Sequence, residues 1–302
     1  MKCEGCFTPF VTPFEHDGRI DRAAFRLLFE RQIQAGIEAI VVLGTTAETP
    51  TLSEIEQREI IEESIALSAG RSKIIVGTGS YDTVTAVKKT KEAKRLGADA
   101  CLVVFPYYNR PTAEGVQRHF EEIAKVGLPI ILYNHPGRTG LKLPAKALLN
   151  LLAIPEVIGL KDSSGDIDLW VQLIENSEKS ILTGDDLQTP SLAALGGKGV
   201  ISIIANVFPK EWKEMTAHCL RADFASARTI LYRFAPLCRA MVLETNPQCV
   251  KYALSVLGLC QSIMRLPLME PQEAVQTEIQ RLMEELSVGD EKSLLELSSV
   301  LR

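Results

Sequence analysis

Short β-branched apolar runs alternate along the chain with longer stretches in which apolar residues recur at helical spacing. The runs fall at 6–10, 39–43, 73–76, 100–105, 129–133, 157–161, 180–183 and 200–203. Runs that are apolar on both faces suit strands of a parallel sheet covered by helices. Helical spacing appears between them at 22–35, 53–68, 83–96, 113–126, 144–153, 169–175 and 190–195. Gly36, Gly70, Gly97, Gly127 and Gly196 stand where a left-handed cap would end a helix. Eight strands alternating with seven crossover helices predict a closed α/β barrel of the (β/α)8, or TIM, type. The competing architecture is an open doubly wound sheet, but no G-x-G-x-x-G follows the first run and Gly77-Thr78-Gly79 lacks the third glycine. Strand signals stop after Ile203. Further helices are predicted at 210–220, 223–242, 247–257 and 271–286, the first closing the barrel. The expected division is therefore a barrel over 1–222 and a C-terminal helical region over 223–302, with a frayed tail at 288–302. No repeat, low-complexity tract or Gly/Ser linker implies a flexible second domain.

In such a barrel chemistry sits at the C-terminal ends of the strands, so the residues that follow each run matter most. The sixth run, Val157-Ile158-Gly159-Leu160, ends on Lys161 and continues D-S-S-G. Ammonium groups are rarely buried without a partner, and burial favours the neutral amine, a nucleophile that forms Schiff bases with 2-oxo acids. The plainer alternative is a lysine that snorkels into a loop or pairs with Asp162. After the second run comes G-T-T-A-E-T, Gly44 to Thr49, whose hydroxyls and turn N–H groups suit a carboxylate. P-Y-Y-N-R-P, residues 106–111, follows the fourth; Tyr133, Asn134 and H-P-G-R-T-G follow the fifth. T-G-D-D, residues 183–186, ends the seventh, and G-V-I-S, residues 199–202, carries the eighth. One amine, tyrosines, threonines and Arg138 thus converge, a set suited to carbonyl chemistry: a tyrosine bonded to a threonine can relay protons, and an arginine can hold a carboxylate. Taken singly, Thr45 or Thr46 also reads as a helix cap, Tyr107 and Tyr108 as packed aromatics, and Arg138 as a surface ion pair.

Composition narrows the field. A net charge of −5, with Lys and Arg scattered, provides no basic field for nucleic acid. No apolar run is long enough for a membrane span, and the Pro-interrupted start is unlike a signal peptide, so the expected location is the cytoplasm. Seven cysteines, an odd number mostly in apolar surroundings, read as small hydrophobes in a reducing compartment. Cys3-x-x-Cys6 has no second pair, and among four histidines only His218 adjoins a cysteine, so neither a metal nor another cofactor is expected.

The residues so placed resemble the class I pyruvate-dependent aldolases and lyases, the family that includes dihydrodipicolinate synthases and N-acetylneuraminate lyases. Its G-T-T-G-E is similar to Gly44 to Glu48, its Y-Y-N to Tyr107-Tyr108-Asn109, its Y-N-x-P-x-R-T-G to Tyr133 to Gly140, and its lysine strand to Gly159-Leu160-Lys161, over roughly residues 5–285. Arg138-Thr139-Gly140 and Thr45-Thr46 look like the dihydrodipicolinate synthase branch. The resemblance implies condensation of pyruvate with L-aspartate 4-semialdehyde on the route to lysine and diaminopimelate. It implies a pyruvate imine on Lys161, proton shuttling by Tyr133 with Thr45 and Tyr108, pyruvate carboxylate binding by Thr45 and Thr46, and semialdehyde carboxylate binding by Arg138. It further implies that Tyr107 or Tyr108 reaches a neighbouring subunit's site, that Ile201 offers a backbone contact, that Gly184 lies beside the site, and that the chain forms a homotetramer of two tight dimers.

Departures from the pattern leave other expectations open. Ala47 replaces a glycine and is expected to narrow the dihedrals of its turn. Asp162-Ser163-Ser164 is a feature of sugar-acid aldolases, so an aldolase or dehydratase for a 2-oxo sugar acid is the second reading, and a pyruvate-binding barrel without turnover the third. Where feedback-inhibited relatives bind lysine, this chain carries Glu54, Gln57, Ser80, Tyr81 and Thr85, so weak or absent inhibition by lysine is expected.

Overall fold

Eight parallel strands close on themselves in chain order, the first pairing with both the second and the last. The computed structural model of the chain describes residues 1–288; the expected frayed tail, beyond Val288, lies outside them. In chain order the elements are β1 (Gly5–Pro9), α1 (Arg22–Ala35), β2 (Ala39–Val42), α2 (Glu54–Ser68), β3 (Lys73–Gly77), α3 (Thr83–Leu96), β4 (Ala100–Val104) and α4 (Ala113–Ala124). They continue as β5 (Ile130–Asn134), α5 (Pro136–Thr139), α6 (Ala145–Leu152), β6 (Val157–Asp162), α7 (Ile167–Glu175), β7 (Ser180–Thr183), α8 (Thr189–Ala194) and β8 (Gly199–Ile201). The chain then turns all-helical, through α9 (Pro209–Leu220), α10 (Phe224–Ala240), α11 (Gln248–Val256) and α12 (Glu273–Val288).

Because side chains alternate along a strand, each run divides its residues between two cores. Phe7, Val41, Ile75, Leu102, Ile131 and Leu182 fill the barrel interior. Their neighbours Cys6, Ile40, Ile74, Cys101, Ile130 and Ile181 pack outward under the helices. This two-sided burial is why the strands read as unbroken apolar runs.

Local chemistry sets the helix ends. Asp21, Ser53, Asp82, Thr112, Asp166 and Asp223 each cap the helix that follows, and Ser53 with Glu56 completes a capping box. Gly36 and Gly97 close α1 and α3 in the left-handed conformation. Two differences from expectation have visible causes. The last strand stops at Ile201, because the Ser202 side chain accepts the Ala205 N–H at 3.0 Å and the chain turns into a short 3-10 segment. The four-residue α5 was not anticipated, since Pro136 starts it and Gly140 ends it within a single turn.

Candidate active site

Alternation also aims the sixth strand's polar end. Lys161 projects inward and is buried, 6% exposed, with no carboxylate at ion-pair distance among the described residues. Its Nζ lies 4.2 Å from the centre of the Tyr133 ring, which stands opposite it across the β5–β6 register. Asp162 faces the other way and does not pair with Lys161. Its carboxylate accepts from Asn134 Nδ2 (2.6 Å), Ser164 N (3.1 Å), Ser164 Oγ (2.6 Å) and Trp170 Nε1 (2.8 Å). Asp162 therefore braces two strand ends and α7.

A cavity of about 630 Å³ opens above Lys161. Thr45, Thr46, Tyr133, Arg138 and Gly184 line it, as the sequence suggested. Thr45 and Thr46 lie in a 3-10 turn just beyond β2. Ala47 in that turn keeps a negative φ, so the expected restriction does not arise; Leu43 and Glu48 take the left-handed conformation instead, at φ 55° and 54°. Glu48 is held there by a fully buried ion pair with Lys251 at 2.7 Å and by the Arg265 backbone N–H at 3.0 Å. Gly184 is required by space: a Cβ there would fall 2.0 Å from Ser163 Oγ and 2.7 Å from Lys161 Cε.

Three further named residues lie outside the lining of that cavity. Ile201 is buried in the barrel interior beneath the cavity and does not line it. Tyr107 lines an adjoining cavity of about 420 Å³, shared with Thr45, Tyr133 and Arg138, and packs edge-on against Tyr81. Burial pushes the Tyr107 hydroxyl above its usual pKa. Tyr108 is 89% exposed, at a left-handed φ of 67°, and lines neither cavity of its own chain.

The site also holds Asn246 and Arg239, which local sequence did not single out, beside His135, Ser163 and Asp186 of the motifs already noted. Asn246 Nδ2 donates to Thr46 Oγ1 at 2.9 Å, while the Asn246 backbone carbonyl accepts from Arg138 Nη2 at 3.4 Å. It comes from the loop after α10, some two hundred positions from Thr46, and no local pattern marks it. Arg239, Ser163 and His135 line the cavity as well. Asp186, whose Oδ2 accepts the Ile204 N–H at 3.1 Å, is pushed up to about 7 by burial.

Fold and site together define a TIM barrel whose cavity is organised around one buried amine, without a carboxylate partner among the described residues, beside a tyrosine, two threonines and an arginine. Residues 2–286 match the model of the dihydrodipicolinate synthetase family, and the chain belongs to that family. It is 40% identical over 292 residues, 95% of its length and 97% of the relative's, to 4-hydroxy-tetrahydrodipicolinate synthase of Protochlamydia amoebophila strain UWE25. Among solved structures it resembles the chloride-inhibited dihydrodipicolinate synthase of Acinetobacter baumannii complexed with pyruvate (TM-score 0.92, 38% identity, 94% and 99% of the two chains covered). It also resembles a protein described as the first monomeric dihydrodipicolinate synthase variant (TM-score 0.91, 33% identity, 94% and 97% covered).

Proposed function

We propose that the chain is a 4-hydroxy-tetrahydrodipicolinate synthase, condensing pyruvate with L-aspartate 4-semialdehyde on the route to lysine and diaminopimelate. The observation that carries this reading is the amine of Lys161, buried without a carboxylate against the Tyr133 ring at the floor of the cavity. An amine so placed attacks the C2 carbonyl of a 2-oxo acid; loss of water leaves a protonated imine, and removal of a C3 proton makes the enamine that attacks the aldehyde. Tyr133 and Thr45 relay the protons, Thr45 and Thr46 hold the pyruvate carboxylate, and Arg138 takes the semialdehyde carboxylate. Asn246 supports both ends, through the Thr46 hydroxyl and the Arg138 guanidinium. Gly184 leaves the room that Lys161 needs, and Ile201 closes the floor by packing.

The same reading covers the assembly. Tyr108 points out of its own chain, so its place in the relay is in a partner's site, with Tyr107 at the join. Ile55, Tyr81 and Val84, all exposed and apolar, belong to that end of the barrel and suit a covered surface. The proposed form is a homotetramer of two such dimers, with 223–302 as a helical appendage on a barrel of 1–222. Among the described residues no helix is long and apolar enough to cross a membrane, and the proposed compartment is the cytoplasm.

The sugar-acid alternative rested on Asp162-Ser163-Ser164, and two of those three residues are occupied with each other. Arg138→Ala tests the choice. A synthase so altered still forms the pyruvate imine but loses semialdehyde turnover by about 100-fold or more; undiminished aldehyde turnover removes Arg138 from the proposed role.

A further inference from the structure

His135 stands in the cavity without a task in the scheme above. Its backbone is fixed at the end of β5, where its carbonyl accepts from Arg138 N, Thr139 N and Thr139 Oγ1, each at 3.0 Å. Its ring packs against Tyr133, with centroids 5.9 Å apart at 67°, on the same tyrosine that carries Lys161 Nζ. Ring nitrogen Nδ1 is shut away without a partner beside Gly137, where a Cβ would come within 3.5 Å of it. Nε2 is the nitrogen left open, and the ring lines the Lys161 cavity.

The surroundings settle its charge. Burial first, then the nearby Arg138 and Lys161 cations, push the imidazole down to about 4, against the ring's own backbone carbonyl and an Asp162 whose carboxylate is already hydrogen-bonded. The ring is therefore neutral near pH 7. A proton on Nδ1 meets only the ring's own backbone carbonyl, which already accepts three hydrogen bonds, whereas a proton on Nε2 meets the cavity. A neutral imidazole N–H is an electrophile suited to an oxygen that gains charge during reaction.

We propose that His135 is a catalytic residue for the aldehyde half of the reaction, its Nε2–H donating to the carbonyl oxygen of the aldehyde acceptor as the new carbon–carbon bond forms. This rests on the Schiff-base reading of Lys161. In the step, the enamine π pair forms the carbon–carbon bond and the imine nitrogen regains its positive charge. The aldehyde's π pair moves onto its oxygen, which the Nε2–H holds by a hydrogen bond while the proton that the relay took from C3 is passed to it; the imidazole stays neutral throughout and no other reactant is consumed.

His135→Leu and His135→Gln, assayed in the full-length protein, test it. At saturating pyruvate the leucine variant is expected to lose about 100-fold in aldehyde kcat/KM, the scale of one missing oxyanion donor. Borohydride-trapped pyruvate on Lys161 stays at the parent level, and glutamine, which keeps an N–H donor, recovers at least about tenfold of the loss. The proposal is overturned if leucine leaves aldehyde kcat/KM unchanged, if glutamine is as poor as leucine, or if pyruvate trapping falls in step with turnover in both variants. The parent protein separates the two layers: no pyruvate adduct there defeats the imine reading and this assignment with it, whereas an adduct with an indifferent leucine variant defeats the assignment alone.

Discussion

Gly184 carries the sharpest consequence at the scale of single residues. Its φ lies outside the left-handed region, so an alanine meets no backbone objection; the conflict is with Ser163 Oγ and Lys161 Cε, at 2.0 and 2.7 Å from the added carbon. Both are side-chain atoms, so the fold survives while the amine is displaced. Gly184→Ala is expected to lower the rate of pyruvate imine formation by about 100-fold, the usual effect of an ångström-sized misplacement, with an unchanged circular dichroism spectrum. A rate within about threefold of the parent would mean that Lys161 has slack to move. Asp162 shows the complementary case, a charged neighbour of the key lysine whose whole capacity goes to Asn134, Ser164 and Trp170.

At the scale of elements, the strand and helix order was legible because each strand is buried on both faces and half of the twelve described helices start on a side-chain cap. What local pattern could not provide was the distance-spanning half of the site. Asn246 reaches Thr46 across the molecule, and Tyr108 stands exposed on a left-handed backbone, which its sequence neighbours do not announce. Ile201 matches a backbone-contact position, and alternation sends its side chain into the barrel, which leaves that expectation to its main chain. Ala47 was expected to restrict its turn, and the left-handed residue proved to be the next one, Glu48. The α2–α3 groove bears on regulation. Glu54 is bound by Lys88 at 2.7 Å, Glu92 by Arg58 at 3.0 Å and Arg95 at 2.7 Å, and Gln57 donates to the Leu52 carbonyl at 2.8 Å. Lys89 beside them is held below its usual pKa by burial. With its carboxylates taken and cations in excess, this surface opposes a cationic amino acid. Activity is expected to stay unchanged in sub-millimolar lysine, and strong inhibition in that range would show a lysine site built from other residues.

Across the whole molecule, the C-terminal region is bonded into the catalytic face. Lys251 Nζ reaches both Glu48 and the Thr12 carbonyl, at 2.7 and 2.9 Å, and its ammonium lies 4.3 Å from the Phe14 ring. Arg265 binds the Gly18 and Thr51 carbonyls, at 2.7 and 2.8 Å, together with Glu56. Removing one partner of a pair this buried strands the other charge. Lys251→Met is therefore expected to lower unfolding free energy by about 3–5 kcal/mol, and Glu48→Gln added to it recovers part of that loss. A denaturant midpoint unmoved by Lys251→Met would mean that the pair does not join appendage to barrel. All of these features serve one amine at the floor of the cavity, and the most direct measurement is borohydride reduction in the presence of pyruvate followed by peptide mass mapping. A single reduced three-carbon acid adduct on Lys161, absent without pyruvate, is the predicted result; an adduct on another lysine, or none, would contradict the account.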